Sequence, residues 1–422
     1  MSIRVLIAAG GTGGHIFPGI AVARELQRRD PNVAVLFVGT ARGLETRVVP
    51  LEGFQLELID IAGLKRVGLL NMIRSLSMLP RSLLRTRAVL RRFRPDLVIG
   101  VGGYASGPVL LGAALKGIPT MVIEPNAYPG FTNRVLSRFI RAAAVGFAEA
   151  IPYFHSKVVV TGNPVRSEFF QIARQEKAAP EASRSSFHLL IFGGSQGSHA
   201  INVAAIAALP TLLHKYAQLT VTHQTGEQDL SPARATYESL QWANRITTLP
   251  FIHPFAHELA RAHLVICRAG AITLAELTAA GKPAILVPLP TAADDHQRKN
   301  AEALERRGAA RCLLQSELTP GRLVEEVSRL MDDPARLAAM AEASRRLAHE
   351  GAAAKIVDLA YRLLKGADCG LRIADCGIKA PKSEVQRPQS DEVHCRRLDT
   401  NEADRGVRNR ESAIRDPQSA IG

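Results

Sequence analysis

The feature that most constrains this fold is a short apolar run followed by a small turn and a helix start, which recurs along the chain. Its clearest copy begins with Leu264 to Cys267, an apolar run typical of strands that are buried on both faces. The turn at 268–270 contains a glycine, which lets backbone N–H groups approach a ligand closely, and a helix begins near Thr273. Because a helix N-terminus carries partial positive charge, the pattern predicts an anion-binding site at this turn.

Glu276 lies one helical turn further along, where its carboxylate could accept hydrogen bonds from vicinal hydroxyls such as those of a ribose. An ordinary strand-to-helix turn with a solvent-facing glutamate accounts for the same residues equally well. The spacing alone leaves both interpretations open.

The densest glycine cluster lies near the N-terminus. Ile3 to Ala9 is a predicted buried strand, residues 10–14 read Gly-Gly-Thr-Gly-Gly, and His15 precedes a helix that runs to Arg28. This spacing matches neither the dinucleotide-binding G-x-G-x-x-G motif nor a P-loop. His15 could serve as a general base, since an unperturbed histidine pKa of about 6.5 suits neutral pH. Helix capping or a hydrogen bond to the loop explains a histidine at this position equally well.

A second glycine-rich turn, Gly102 to Pro108, follows the strand predicted at Leu97 to Val101 and leads into a helix. The first half of the chain therefore offers two anion-binding turns. The other strands predicted in this half are 33–38, 54–59, 119–123 and 158–160.

The same pattern restarts after a polar stretch at 177–186. Its predicted strands, with helices between them, are 187–192, 219–223, 246–249, 264–267 and 284–287. Strands that alternate with helices form parallel sheets with right-handed crossovers. We therefore expect an α/β protein in which two parallel-sheet domains, 1–164 and 165–349, face each other across a ligand cleft.

Two C-terminal segments complete this organisation. The segment 319–349 is expected to be helical and amphipathic, and a helix at 350–365 is expected to pack back on the first domain. Residues 366–422 are polar and lack periodicity, and we expect them to form a disordered tail.

Composition narrows the class of protein further. The 422 residues are 46% hydrophobic, which supports two sizeable cores, yet no apolar run approaches the ~20 residues that a membrane span needs. No secretory pattern is present, so we expect a cytoplasmic protein. The five cysteines are scattered, which fits a reducing compartment, and no Cys/His set has the spacing of a zinc site.

The net charge of +14 becomes informative where it concentrates. Residues 61–95 contain no acidic residue but carry nine basic ones among leucines and methionines: Lys65, Arg66, Arg74, Arg81, Arg85, Arg87, Arg91, Arg92 and Arg94. An apolar stripe edged with basic side chains is typical of a segment that lies on an anionic membrane surface. The alternatives are an amphipathic core helix with a solvated basic face and, least favoured, a nucleic-acid-binding surface.

These motifs, taken in order, resemble those of the MurG family of glycosyltransferases over roughly residues 3–365. The matching segments are 10–15, 102–108, 124–133, 161–166, 193–197, 267–276 and 295–301. Each segment is a weak signal alone, but all of them in register are specific. The resemblance implies the GT-B architecture of two Rossmann-like domains. It also implies transfer of N-acetylglucosamine from UDP-N-acetylglucosamine (UDP-GlcNAc) to undecaprenyl-pyrophosphoryl-muramoyl-pentapeptide (lipid I), which gives lipid II for peptidoglycan synthesis.

The resemblance assigns the donor mainly to the second domain. Backbone groups near Ile252 would meet the uracil, Glu276 the ribose, Arg166 the nucleotide and Gln297 the sugar hydroxyls. The diphosphate would lie against Ser195 and the helix start formed by Ala271, Ile272, Thr273, Leu274, Ala275 and Glu276. From the first domain, the donor sugar would be lined by Thr12, Gly13, Gly14 and Asn126.

The acceptor would lie on the first domain, near His15 and Glu124. Its pyrophosphate would rest on the two glycine-rich turns, including Gly102, Gly103, Tyr104 and Ser106. The sequence departs from many relatives at two positions, with Pro125 in place of Gln and Ser198 in place of Ala. Pro125 puts the positioning of the adjacent Asn126 in question.

The chemistry expected from the resemblance is inversion at the anomeric carbon, assisted by a general base. His15 is the first candidate for that base and Glu124 the second, and the sequence does not separate them. No Asp-x-Asp metal motif occurs, so loop N–H groups and helix N-termini would stabilise the leaving diphosphate. We expect no metal and no cofactor.

The expected partners are the donor, the acceptor and an anionic membrane surface, with no nucleic acid. The expected location is peripheral, on the cytoplasmic face of the cell membrane. The main alternative is another GT-B enzyme that uses a UDP-sugar, such as a diacylglycerol glycosyltransferase or an epimerase. A non-enzymatic basic membrane- or RNA-binding protein would leave Glu276 and Gln297 without a role.

Overall fold

The computed structural model describes residues 2–41, 43–59, 82–103, 105–178, 186–194, 197–240 and 242–366. They form two lobes, each built on a wholly parallel sheet, within one compact unit. The expected disordered tail, 366–422, lies almost entirely outside these ranges. Residues 61–81 of the basic segment 61–95 also lie outside them.

The first lobe alternates strands and helices. Its elements are β1 (Arg4–Ala9), α1 (Gly13–Arg29), β2 (Ala34–Gly39), α2 (Glu45–Leu51), β3 (Gln55–Leu58), α3 (described over 82–93), β4 (Leu97–Gly102), α4 (Ser106–Leu115), β5 (Thr120–Glu124), α5 (Phe131–Leu136), β6 (Ala142–Val145) and β7 (Lys157–Val160). The strand order is β3-β2-β1-β4-β5-β6-β7.

The second lobe repeats this plan. Its elements are α6 (Ser167–Ala178), β8 (Phe187–Phe192), α7 (His199–Lys215), β9 (Leu219–Gln224), α8 (Glu227–Glu238), β10 (Ile246–Leu249), α9 (Phe255–Arg261), β11 (Leu264–Cys267), α10 (Ala271–Ala280), β12 (Ala284–Leu286), α11 (His296–Glu305), β13 (Ala310–Cys312), α12 (Pro320–Met331) and α13 (Pro334–Arg346). The strand order is β10-β9-β8-β11-β12-β13.

Both faces of each sheet are buried, as the continuous apolar strands predict. In β1, Val5 and Ile7 join the core on one side of the sheet, while Leu6 and Ala8 join the core on the other. The two faces are covered by helices, so the carboxyl ends of the strands remain as the open edge for a ligand. The predicted fold class of two parallel-sheet α/β domains is confirmed.

The last helix, α14 (Ala352–Leu364), returns to the first lobe. Its apolar face, including Ile356 and Leu363, enters the core that α1 covers, and Arg29 of α1 pairs with Asp358 at 2.5 Å. The chain thus crosses between the lobes twice.

The expected helix at 319–349 is instead two helices. The first helix, α12, ends at Met331, and Asp333 caps the N-terminus of α13, because its Oδ1 accepts a hydrogen bond from Arg336 N at 2.9 Å. Pro334 occupies the first helical position, where its missing N–H costs nothing.

Candidate active site

The strand order of each sheet reverses direction at one place, between β1 and β4 in the first lobe and between β8 and β11 in the second. Ligands of such sheets bind outside the carboxyl ends of the strands at this switch point. The described residues that follow these strands belong to the glycine-rich segments singled out in the sequence, at 10–14, 102–103, 105–106, 193–194, 197 and 268–270. The fold therefore places the motifs at the binding edge of each sheet.

His15 lies in the first turn of α1, partly buried beside β4. Its Nδ1 is 3.0 Å from the carbonyl oxygen of Val101. A carbonyl can only accept, so Nδ1 carries the hydrogen and Nε2 of the neutral ring is left as a proton acceptor. Burial lowers the pKa of His15 below its ordinary 6.5, as the nearby His296 does, while the Glu124 and Glu45 carboxylates and the Val101 hydrogen bond oppose that shift. The ring is therefore neutral at neutral pH and able to act as a base.

Gly102 and Gly103 allow β4 to approach the first glycine turn. A Cβ at Gly102 would lie 2.5 Å from His15 Nδ1, and one at Gly103 would overlap the carbonyl of Gly10. Both glycines also have positive φ angles, +117° and +78°. A side chain at either position would push the two turns, and the His15 ring, apart.

Ser106 was expected to contact the acceptor. It is fully buried, and its hydroxyl lies 2.7 Å from the Gly102 carbonyl and 2.8 Å from that of Ala8, while accepting a hydrogen bond from Gly102 N. The side chain therefore holds the turn in shape. Direct contact with an acceptor stays a prediction that this geometry does not favour.

Glu124 ends β5 and is almost completely buried. Its Oε1 accepts hydrogen bonds from the backbone N and side-chain Nδ2 of Asn126, at 3.0 and 3.1 Å. Its Oε2 accepts from Gly130 N at 3.0 Å and from Asn133 Nδ2 at 2.8 Å. Both oxygens are thus committed to holding the 124–133 loop, which favours His15 over Glu124 as the general base.

Two buried amide side chains join that loop to the second lobe. Asn300 accepts a hydrogen bond from Ala127 N at 2.8 Å and donates to Asn126 Oδ1 at 3.0 Å and to the Ala269 carbonyl at 3.2 Å. Asn163 Nδ2 donates to the Pro125 carbonyl at 2.9 Å, with the Ala271 carbonyl at 3.5 Å. Pro125 was the departure from the family that put the positioning of Asn126 in question. The loop that contains both residues is hydrogen-bonded by Asn163 and by Asn300 of the second lobe.

The start of α10 has the donors that an anion needs. Leu274 N already bonds the Gly270 carbonyl at 2.9 Å, and the Leu274 side chain is buried in the core. The N–H groups of the preceding first turn, at Ala271, Ile272 and Thr273, have no partner within a helix. Within the segment 271–276 that was expected to bind the diphosphate, these three residues have backbone N–H groups available to donate to an anion.

Glu276 lies further along α10 and is partly buried. Burial raises the pKa of its carboxyl to about 7, against the opposing charge of Arg166 and with the added effect of Glu168. Arg166 itself stacks over the Phe169 ring at 5.0 Å. The Arg166 guanidinium is thus close enough to Glu276 to act on its charge, and it also pairs with Glu168 at 3.0 Å, while the nucleotide-binding roles of Glu276 and Arg166 stay predictions.

Gln297 lies in the first turn of α11, and Ile252 lies in the loop between β10 and α9. Gln297 Oε1 accepts a hydrogen bond from Leu289 N at 3.0 Å, which leaves its amide N–H groups to donate to a ligand. The Ile252 side chain is buried, so this residue can meet a ligand only through its backbone.

The remaining candidates of the first glycine turn also lie at the binding edge. Thr12 is exposed and precedes α1, whose first residues are Gly13 and Gly14. Tyr104 and Ser195 lie outside the described residues. Within the described ranges, no group of three His, Cys, Asp or Glu side chains could hold a metal ion.

The sequence did not single out several residues that shape this site. Glu45 begins α2, Asn163 lies in the loop after β7, and Asn300 lies within α11; all three are buried, and each bonds a segment distant in the chain. Asn163 and Asn300 lie within matched motifs, which was the only available signal. Their partners could not be read from spacing.

Facing glycine turns at two switch points, a neutral histidine and a helix start with free N–H groups together define the GT-B class of nucleotide-sugar enzymes. Models of the glycosyltransferase family 28 N-terminal and C-terminal domains match residues 5–145 and 188–359. The chain belongs to this family, and within it to the MurG transferases.

Individual relatives support that membership. The chain is 48% identical over 364 residues to the UDP-N-acetylglucosamine--N-acetylmuramyl-(pentapeptide) pyrophosphoryl-undecaprenol N-acetylglucosamine transferase of Anaeromyxobacter sp. (strain Fw109-5), covering 86% of this chain and 94% of the relative. It is 46% identical to the Geobacter sulfurreducens transferase of the same name, covering 84% and 97%. The crystal structure of Acinetobacter baumannii MurG has a TM-score of 0.73 at 33% identity, covering 85% of this chain and 99% of that one.

More distant structures share only the fold. The Neisseria meningitidis UDP-GlcNAc 2-epimerase bound to UDP-GlcNAc has a TM-score of 0.60 at 17% identity.

Proposed function

We propose that this chain transfers N-acetylglucosamine from UDP-GlcNAc to the muramoyl sugar of lipid I, forming lipid II for peptidoglycan synthesis. The observation that carries the proposal is identity of 46–48% with transferases named for this reaction, over 84–86% of the chain. Four of the segments that resemble the family, 10–15, 102–108, 193–197 and 267–276, follow the strands at the switch points of the two sheets, where a nucleotide sugar and its acceptor would meet.

Donor binding is assigned to the second lobe. The N–H groups at the start of α10 donate to the diphosphate, and Glu276 accepts hydrogen bonds from the ribose hydroxyls. Negative charge develops on the β-phosphate oxygen as the bond to the anomeric carbon breaks. Preorganised N–H donors and a helix N-terminus stabilise such charge without reorganisation.

The acceptor is assigned to the first lobe. A muramoyl hydroxyl attacks the anomeric carbon from the side opposite to UDP, which inverts an α-linked donor to a β-linked product. Its proton passes to His15 Nε2, and the electron pair of the broken bond leaves on the β-phosphate. Glu124 keeps the 124–133 loop, and with it Asn126, in position beside the donor sugar.

We propose further that this chemistry needs no divalent metal. The α10 N-terminus and the glycine turns supply the positive potential that an Asp-x-Asp-bound ion supplies in other designs. No Asp-x-Asp motif occurs in the sequence.

A membrane-facing surface is proposed for α3, α4 and α5. These helices are neighbours: a Cβ on Gly112 of α4 would lie 3.0 Å from Thr86 of α3, and one on Gly107 would lie 3.2 Å from Thr132 of α5. They and the residues next to them expose large apolar side chains, namely Leu84, Leu115, Phe131, Val135 and Phe139. Exposed basic side chains accompany them, namely Arg85, Arg87, Arg91, Lys116, Arg138 and Arg141.

Apolar side chains among basic ones fit a surface that rests on anionic lipid. We therefore place the enzyme at the cytoplasmic face of the cell membrane as a peripheral protein. No helix among the described residues is both long and apolar enough to cross a bilayer.

The assignment of His15 is tested with His15→Asn. Asparagine Nδ2 can still donate to the Val101 carbonyl, but the basic Nε2 is lost. We expect kcat for lipid I to fall by about 10²–10⁴-fold, the usual contribution of a general base, while the Kd of UDP-GlcNAc changes less than about threefold. Equal losses in kcat and in donor affinity would show that His15 binds substrate and is not the base.

A further inference from the structure

The carboxylate of Glu45 lies beneath the first glycine turn, and the mechanism above gives it no role. Glu45 is the first residue of α2 and is completely buried. Its Oε2 accepts a hydrogen bond from Gly11 N at 2.9 Å, and its Oε1 accepts from Thr40 N and Thr40 Oγ1, at 2.9 and 2.8 Å. All three contacts are donated to the carboxylate, so both of its oxygens act as hydrogen-bond acceptors.

The chain leaves room for this carboxylate from three sides. A Cβ on Gly10 would lie 2.7 Å from Glu45 Oε1, one on Gly39 would lie 2.6 Å from its Cγ, and one on Gly43 would overlap the carboxylate. Leu44 N also reaches the Gly11 carbonyl at 3.4 Å. Burying a charge is costly unless the charge is paired or hydrogen-bonded, and here donors from two separate segments, Gly11 and Thr40, bond the carboxylate.

The contacts of Glu45 lead directly to His15. Gly11, which Glu45 holds, lies in the same turn as Thr12, whose carbonyl accepts the hydrogen bond from His15 N at 3.1 Å. The negative charge of Glu45 also favours the protonated form of His15, as does that of Glu124, whereas burial and His296 favour the neutral form. Of these groups, Glu45 is the one that touches the turn preceding His15.

We propose that Glu45 is a positioning residue for His15: its buried carboxylate fixes the 10–14 turn and stabilises the positive charge that His15 acquires when it takes the acceptor proton. This inference rests on the proposed role of His15 as the general base. Glu45 itself touches neither substrate.

The test is Glu45→Gln, which is isosteric but removes the charge and one acceptor. We expect kcat to fall by about 10- to 100-fold with the KM for UDP-GlcNAc nearly unchanged. Losing the charge also lowers the pKa of His15, so the acid limb of the kcat/KM profile moves by ~0.5 pH unit to lower pH, the size expected of one screened charge. A purely structural role would lower the whole profile without moving that limb.

Three further variants separate the outcomes. Glu45→Asp keeps the charge but shortens the side chain, so we expect a lower kcat with an unmoved limb. Glu52→Gln is the control, because it removes a partly exposed carboxylate directly after α2 that pairs with Arg24. It should change neither kcat nor the position of the acid limb. If Glu45→Gln does not fold, Thr40→Val removes one hydrogen bond from the same carboxylate, and an unchanged kcat in that variant would overturn the proposal.

His15→Asn, measured in parallel, distinguishes failure of this inference from failure of the proposed function. If His15→Asn keeps its turnover and its acid limb, His15 is not the base, and the proposed mechanism fails first. If His15→Asn loses turnover but Glu45→Gln leaves kcat or the acid limb unchanged, only the inference about Glu45 is overturned.

Discussion

A single backbone carbonyl determines what His15 can do. Because Val101 O accepts the Nδ1 hydrogen, the neutral ring presents Nε2 as its base. Burial keeps the pKa of His15 below 6.5, so the base is available at neutral pH. The contribution of His15 is lost as the pH falls through that lowered pKa, since the ring then carries its proton before the acceptor arrives.

Glu276 gives a second pH dependence, in donor binding. Burial raises the pKa of its carboxyl to about 7, so the group is partly protonated at neutral pH. Only the ionised form accepts hydrogen bonds from both ribose hydroxyls. We therefore expect the Kd of UDP-GlcNAc to rise as the pH falls below 7, by up to about tenfold per pH unit.

Calorimetric titration between pH 8 and pH 5.5 measures this dependence. Glu276→Gln serves as the control, because its amide does not titrate in this range and should bind the donor weakly but evenly. A wild-type Kd that stays constant over the whole range would show that Glu276 does not meet the donor as an ionised carboxylate.

At the scale of elements, α3, α4 and α5 combine two tasks. Their inner faces complete a core of the first sheet, in which Val89 and Leu90 of α3 are buried, while their outer faces carry the arginines and apolar side chains described above. The sequence alone could not separate a core helix from a membrane-binding one in this segment. The described part of α3 fits both, since one helix can bury one stripe and expose another.

Reversing Arg85, Arg87 and Arg91 to Glu should weaken binding to vesicles of phosphatidylglycerol, by about 1 kcal/mol for each basic residue near the surface. Vesicle co-sedimentation at low and moderate salt measures the effect.

A matched control reverses Arg336, Arg346 and Arg362, which are exposed outside α3–α5. Arg362 lies on α14, whose helix covers the opposite face of the first sheet. If the two triple variants lose vesicle binding to the same extent, or if neither loses any, a specific membrane-facing role for α3–α5 is contradicted.

On the scale of the whole molecule, the catalytic arrangement depends on two lobes held together. Asn300, from the second lobe, bonds Asn126 and Ala127 of the first and the Ala269 carbonyl beside α10. At the rim, Glu149 and Arg307 pair at 2.8 Å. The loop shaped by Glu124 and the turn that precedes the donor-binding helix are therefore fixed relative to each other.

Much of this plan follows from the sequence, because buried parallel strands and glycine turns are local signals. The sequence predicts strands such as Phe187–Phe192 to the residue, but it does not predict β6, because three of the four residues in Ala-Ala-Ala-Val are alanines, which are depleted in strands. Alanine is accepted there because both faces of β6 are buried in close packing. The roles of Glu45 and Asn300 were not predictable, since their partners are brought together only by folding.

We propose that the two lobes together transfer N-acetylglucosamine from UDP-GlcNAc to lipid I through protein groups alone. The most direct test is to incubate the purified chain with UDP-GlcNAc and a lipid I analogue in excess chelator, and to identify the product. We predict a β-linked disaccharide on the lipid and stoichiometric release of UDP, at a rate that the chelator does not change. No transfer to the muramoyl sugar, or transfer only after a divalent metal is restored, would contradict the account.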